Sequence, residues 1–426
     1  MSRTDLIAWV AVCLLPCACA DLSGLRDYSM GTSIDPGSPE ATADGATRDA
    51  PAADAPAPDT ATCSPSGCDS RDACAGCDAT AEGGAPVRDG SCALSFGYTP
   101  SNFDPDGYSA PKAATVIDCN TTYDSTAHSF THWCSGRTAP RITADLTQPG
   151  GPNIDVLAFA GLTLNAGVTL ALTGRNAIVL AVYGDATVQG TIDADGEPGV
   201  SGNPAAGASG PGGAYACSAN AGGNAGTATS NSGGGGGGGS TAGGQGANDC
   251  PVVAVGGAAG AARPNVSLGP LYGGCPGGAS GPGGCTTGGG GAGGAVQLSA
   301  AGALTVDGTI TANGGAGGTS TCTAVLVGVT YYGGGGGGGA GGAILLEGSS
   351  VTVNGTVSVQ GGKGGASGGS GAALPSSTGM TGAPASCPGS GVAGGGGGGG
   401  YGYERTNKGS APNCLNRMCD DAGCTE

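Results

Sequence analysis

Between residues 295 and 314 the chain reads AVQLSAAGALTVDGTITANG, and its apolar side chains fall on every second position. Val296, Leu298, Ala300, Leu304, Val306, Ile310 and Ala312 share one phase, while Gln297, Ser299, Thr305, Asp307, Thr309 and Asn313 share the other. Alternation of this kind puts one set of side chains on one face of a strand, where a helix would scatter them around its circumference. Gly302, Gly308 and Gly314 interrupt the apolar phase and predict corners between two or three short strands.

The same unit recurs. AIVLAVYGDATVQGTIDADG (177–196) keeps the phase with Ile178, Leu180, Val182, Val188, Ile192 and Ala194. AILLEGSSVTVNGTVSVQG (343–361) drops one residue before Val351 and resumes with Val351, Val353, Val357 and Val359. DVLAFAGLTLNAGVTLALTG (155–174) adds Leu162, Leu164, Val168, Leu170 and Leu172. A unit of roughly twenty residues cannot bury its apolar edge alone, whereas stacked copies bury a continuous core. The expected fold is therefore all-β: a β-solenoid, parallel β-helix-like, over 156–403, with turns at 157–174, 175–196, 295–314 and 343–361.

The copies are unevenly spaced: TVQGTIDADG starts 118 residues before TVDGTITANG, which starts 47 before TVNGTVSVQG. Each copy ends on a glycine, Gly196, Gly314 or Gly361, and a Gly-rich stretch follows. Equal phase in successive turns implies that the insertions 197–294, 315–342 and 362–403 leave one common edge. Lengthening a flexible loop three- to four-fold adds only about 1 kcal/mol of closure cost. The insertions carry GGGGGGG (233–239 and 333–339) and AGGGGGGGYGY (393–403). Isolated runs of this kind favour disorder. Runs from adjacent loops, free of side chains, also pack closely as extended polyglycine. The cysteines in the same loops favour a partly ordered, cross-linked glycine layer. No strict Gly-X-Y period is present, which excludes collagen.

Composition supports this picture. The 426 residues include 95 Gly, with only 4% aromatic and 11% charged. A formal net charge of −17 with 14 Lys+Arg excludes a nucleic-acid footprint and electrostatic docking on anionic lipid. Aromatics gather in 93–155, where Phe96, Phe103, Phe130 and Trp133 predict an N-terminal cap over exposed strand edges.

Residues 1–18 read as a signal peptide: Arg3, an apolar run too short to span a bilayer, then PCACA. Either Cys19 is lipidated, or cleavage after Ala20 frees Asp21. Residues 19–62, rich in Ala, Asp and Pro, predict a disordered acidic tether, and 63–92 a Cys-rich segment. A tether directly behind a cysteine is what a lipid anchor requires. The remaining cysteines are expected in disulfides, given an oxidising compartment: Cys63, Cys68, Cys74, Cys77, Cys92, Cys119, Cys134, Cys217, Cys250, Cys275, Cys285, Cys322, Cys387, and Cys414, Cys419 and Cys424 of the 404–426 tail.

STAHSFTHWCSG, AIVLAVYGDATVQGTIDADG and GGAILLEG together resemble a group of Gly-rich predicted surface lipoproteins of myxobacteria, over most of residues 90–403. CADLSGL (19–25) looks like their lipidated start, which implies lipidation at Cys19. The resemblance implies location and shape and carries no assigned activity. The GGAGG texture is similar, in composition only, to the Gly-rich part of PE-PGRS proteins.

Candidate chemistry is sparse. Asp193, Asp195 and Glu197 form an acidic corner of calcium-ligand type. His128 and His132 stand four apart, a metal pair if the segment is helical, though Thr126, Ser129 and Thr131 disfavour helix. Polysaccharide lyases on parallel β-helices are the enzymatic rival. They need a basic residue beside acidic ligands, and between 156 and 403 the basic residues are Arg175, Arg263 and Lys363. Tyr331, Tyr332, Tyr401 and Tyr403, beside Gly runs, are candidate contact points. The expectation is an exported, lipid-anchored structural or adhesive surface protein without catalytic activity or cofactor. Its expected partners are the membrane and extracellular polysaccharide or other surface proteins, not nucleic acid.

Overall fold

Runs of β-branched and aliphatic residues separated by Gly and Asn corners form the strands. They are numbered β1 (Thr115–Ile117), β2 (Thr121–Asp124), β3 (Ser129–Thr131), β4 (Arg141–Leu146), β5 (Ile154–Phe159), β6 (Leu162–Leu164) and β7 (Thr169–Thr173). Next come β8 (Ala177–Val182), β9 (Ala186–Val188), β10 (Thr191–Asp193), β11 (Ala295–Val306), β12 (Thr309–Thr311), β13 (Thr323–Leu326) and β14 (Val329–Tyr332). The chain closes with β15 (Ala343–Val353), β16 (Thr356–Ser358), β17 (Tyr403–Lys408) and β18 (Ala411–Asn413). The structure is a computed structural model that describes residues 96–108, 112–225, 231–248, 255–281, 286–321, 323–326, 329–368, 393, 395–408 and 411–413. All of them belong to one unit, Pro86–Glu426. The described residues contain no α-helix, and a short 3-10 turn at Pro105–Gly107 is their one helical feature. The signal, tether and Cys-rich readings, residues 1–92, and most of the tail lie outside the described residues.

The sheets are curled and mostly parallel. In one, β1, β6, β9, β11 and β15 follow one another, while β5 and β8 join through the first half of β11. In the other the order is β16-β12-β10-β7-β2-β3. The sequence copies pair with each other in the register their alignment requires. Val306 lies opposite Val188 on one side and Val353 on the other, and Ile310 lies between Ile192 and Val357. Among the described residues the antiparallel strand pairs are β2–β3, β4–β5, β13–β14 and β17–β18, with an isolated antiparallel bridge between Ser201 and Thr287.

The apolar phase forms one core. Val188, Ile192, Leu298, Leu304, Val306 and Ile310 are fully buried there, and Val353, Val357 and Val359 of the last copy are partly buried. Corner glycines are required where copies stack. A Cβ at Gly308 would overlap the Gly190 carbonyl oxygen, and one at Gly355 the Gly308 carbonyl oxygen.

In β8, β11 and β15 the polar phase does not face water: Gln297 and Ser299 are fully buried and Glu347 is 2% exposed. The second face of these strands is a core of its own, with Val156, Val179, Ala295 and Leu345 under Phe103, Leu268 and Leu271. Phe96 and Phe103 meet edge-on at 5.8 Å and pack here, so segment 96–108 covers a sheet face rather than a sheet end. It is held by Glu347, whose carboxylate accepts the Ser101 N–H at 3.1 Å, Ser101 Oγ at 2.7 Å, Gln297 Nε2 at 2.9 Å and Ser299 Oγ at 2.8 Å.

The glycine runs pack as extended backbone. Gly233 and Gly236 donate to Ala247 and Gly244, Gly234 and Gly237 to Gly335 and Gly338, and Gly235 and Gly238 to Gly223 and Asn220. Partners repeat every third residue in three directions, the pattern of an extended, three-residue-per-turn backbone of polyproline-II type. Such a helix has no internal hydrogen bonds, so its buried N–H groups are satisfied by neighbouring runs. The step of three propagates. Gly396 and Gly399 donate to Gly365 and Gly362, which donate to Gly336 and Gly339, which donate to Gly318 and Gly315. At this spacing only glycine fits: a Cβ on Gly337 would overlap the Gly235 carbonyl oxygen, and one on Gly235 the Ala258 carbonyl oxygen.

Candidate functional site

Three places gather polar side chains. The first is built on the β2–β3 hairpin and the start of β5. Asp155 is fully buried, on the strand face opposite to its neighbours Ile154 and Val156. Its Oδ2 accepts Tyr123 Oη at 2.8 Å and faces His128 Nδ1 at 2.9 Å. Its Oδ1 accepts the Asp145 N–H at 3.0 Å and Asn176 Nδ2 at 2.9 Å. His128 Nε2 lies 3.1 Å from Asp145 Oδ2, so the ring bridges two carboxylates. The hydrogen bond to Asp155 raises the His128 pKa above its usual value, and Asn176 and Asn153 hold the Asp145 carboxyl below its own. Burial and the Asp155 carboxylate push the Tyr123 phenol far up, so it stays a donor. The cluster clamps the hairpin to β5 and to the turn at Asn176.

His132 does not join it. A hairpin replaces the helix that a His128–His132 metal pair would need, with both residues at positive φ, 52° and 59°. Cys119 and Cys134, nearby, form a disulfide with Cα atoms 5.6 Å apart. Among the described residues no group of three or more His, Cys, Asp or Glu side chains is arranged to hold a metal ion.

The second place is the acidic corner. Asp195 turns to the adjacent copy, where its carboxylate accepts the Asn313 N–H and, at 3.3 Å, Asn313 Nδ2. Asp193 Oδ1 accepts the Asp195 N–H at 3.0 Å. Asn313 Oδ1 accepts the Gln360 N–H at 2.8 Å and Ser358 Oγ at 2.7 Å in the following copy. Asp185 to the Ala303 N–H at 2.9 Å and Asn354 Nδ2 to Asp307 at 2.8 Å repeat the device. These side chains form ladders that fix one corner on the next. Desolvation raises the Asp195 carboxyl above its usual value. The Glu197 side chain is exposed while its carbonyl accepts the Gly291 N–H, so the three acids do not converge.

The third place lies where glycine runs end. A cleft is lined by Gly239, Ser240, Arg263, Tyr272, Gly274 and Tyr403. The Arg263 guanidinium carbon sits 4.2 Å from the centroid of the Tyr272 ring. Arg263 Nη1 lies 3.4 Å from Cys217 Sγ and 3.3 Å from Cys275 Sγ, the two sulfurs of the second disulfide. Ser240 Oγ donates to the Tyr401 carbonyl at 3.1 Å, which brings the 401–403 segment to the same rim. Of these residues, sequence reasoning singled out Arg263 only as one of few cations, and Tyr401 and Tyr403 only as neighbours of a glycine run. Nothing in the pattern of Tyr272 or Ser240 marks them.

Cys19, Cys63, Cys68, Cys74, Cys77, Cys92, Cys250, Cys285, Cys322, Cys387, Cys414, Cys419 and Cys424 lie outside the described residues, as does the Tyr331 side chain. No helix among the described residues is long and apolar enough to cross a membrane. No protein-family model, curated protein or solved structure matches the chain.

Proposed function

We propose that the chain is an exported, lipid-anchored structural or adhesive protein of the cell surface without catalytic activity. Its body is a parallel β-solenoid whose Gly-rich insertions leave along one edge. The observation that carries this reading is the register: equal positions of the TVxGT copies lie side by side in parallel, Val188 to Val306 to Val353. A chain that coils once per copy produces that pairing. Its polar corners are spent on joining copies, as Asp195 on Asn313 and Asn313 on Gln360. A rigid body with few free side chains suits display better than turnover. The anchor rests on the leader and tether of the sequence, with Cys19 as the acylated residue and membrane and extracellular polysaccharide as partners.

Two measurements test it. Purified protein is applied to a polysaccharide array and, in parallel, assayed for unsaturated uronate products. Saturable binding without product supports the adhesive reading; accumulating product overturns the non-catalytic one. Mass spectrometry of the mature N-terminus supports the anchor if Cys19 is acylated and removes it if the chain begins at a free Asp21.

A further inference from the structure

Arg263 is a cation without a counter-charge. The chain carries a formal net charge of −17, yet among the described residues no carboxylate pairs with this guanidinium. Its neighbours are neutral: the Tyr272 ring, the two sulfurs of Cys217–Cys275, and the Gly273 carbonyl 3.5 Å from Nη1. All those polar contacts run through Nη1, which leaves Nε and Nη2 without a hydrogen-bond partner among the described residues. Burial pushes the guanidinium below its usual range, partly offset by the nearby Tyr272 and Tyr215 phenols. A half-buried charge in that state is costly unless something of opposite sign completes it.

The cleft that Arg263 lines is built to let that happen. It is shallow, with about 10 Å³ of room inside, enough for one water, and it opens to solvent, so a ligand group meets Arg263 at its mouth. Gly239, Gly274 and Gly342 form walls without side chains, so a ligand can approach backbone directly. Tyr272 and Tyr403 stand at the rim, and burial, with a smaller contribution from the Tyr403 phenol, raises the Tyr272 pKa above its usual value. Arg405 lies two residues beyond Tyr403 on β17, on the same strand face, with Nη1 donating to the Ser267 carbonyl at 2.8 Å.

We infer that this cleft binds an oxyanion, a carboxylate or sulfate group carried by an acidic polysaccharide. A planar guanidinium offers a paired set of donors that matches either group, and tyrosine adds a hydroxyl and a ring edge for the attached sugar. The inference rests on the surface-adhesion reading for the polymer and on the geometry alone for the anion.

The test is calorimetry on the full chain with four probes: sodium sulfate, sodium acetate, an oligogalacturonate and a neutral gluco-oligosaccharide. The expected result is saturable binding of the oligogalacturonate, weakened by added salt. Affinity should fall at least ten-fold in R263Q and less in R263K. Because Arg263 touches a disulfide, Y403F serves as a second variant outside that contact and should lose several-fold. Sulfate or acetate binding without any gain from the polymer keeps the site and assigns it to a free oxyanion. Unchanged affinity in both R263Q and Y403F, or absence of binding by all three anions, overturns it. Binding of the neutral oligosaccharide alone overturns the anion site while leaving the adhesive reading standing.

Discussion

Replacing Gly337 by alanine tests the glycine packing directly. The added Cβ would fall on the Gly235 carbonyl oxygen, a backbone atom that no rotamer change can move aside. Gly337 N–H donates to Gly278 at 2.9 Å, and its carbonyl accepts the Gly290 N–H at 2.8 Å. Forcing a methyl into a packed interior costs about 1–3 kcal/mol. The two hydrogen bonds stretched by the displacement add about 1 kcal/mol each. Against this, alanine restricts the unfolded chain and returns about 0.4–1 kcal/mol. The net expectation is a loss of about 2–5 kcal/mol. Gly97 supplies the control: a Cβ there meets nothing within 4 Å, so the same exchange should be neutral or slightly stabilising. Urea unfolding of both variants reads the difference as a shift of midpoint at constant slope. If G337A unfolds with wild-type stability, the runs are not in contact and the packing argument is wrong.

Three further outcomes follow from the geometry. His128 gains its raised pKa from Asp155 and Asp145, so its contribution to stability is full below about pH 6.5 and is lost as pH rises through the raised folded value; H128Q should flatten that alkaline slope in pH-dependent melting. Val306 is fully buried and Val353 only partly, so V306A should cost about 2–3 kcal/mol and V353A about half as much in denaturant titrations; equal costs would mean that the last copy is as enclosed as the middle one. Opening Cys119–Cys134, which closes 15 residues, by the double replacement C119S/C134S should cost about 3 kcal/mol, read from melting of the variant beside wild type under oxidising conditions.

The apolar phase was legible because it is local. Val188, Val306 and Val353 each sit in a TVxGT string, and the alternation that aligns the strings also sets their register. What lay hidden was the second face of β8, β11 and β15. Gln297, Ser299 and Glu347 carry no sequence mark of burial, yet they are buried by Ser101 and its neighbours, roughly two hundred residues away in sequence. Periodicity reports one buried face at a time, and a polar residue satisfied by a distant partner looks like any solvated one. The Arg263 cleft escaped notice for the same reason. Its components come from Ser240, Arg263, Tyr272 and Tyr403, which no repeat relates.

Where recognition sits in this molecule follows from the packing of its glycines. Inside the runs most N–H and carbonyl groups are committed to neighbouring backbone, and no side chain projects, so Gly233–Gly239 and Gly395–Gly400 present neither charge nor ring. Chemistry returns only where a run stops and side chains fit again: Ser240 follows Gly239, and Tyr401 follows Gly400. Runs in register with one another bring their ends together, which assembles residues from distant parts of the chain without a motif. A ligand held at such an end contacts a backbone lattice that cannot yield locally, because shifting one run breaks bonds to three neighbours. Affinity at the Arg263 cleft should therefore depend on the lattice behind it, and G337A, outside the cleft lining, should weaken oligogalacturonate binding in step with its loss of stability.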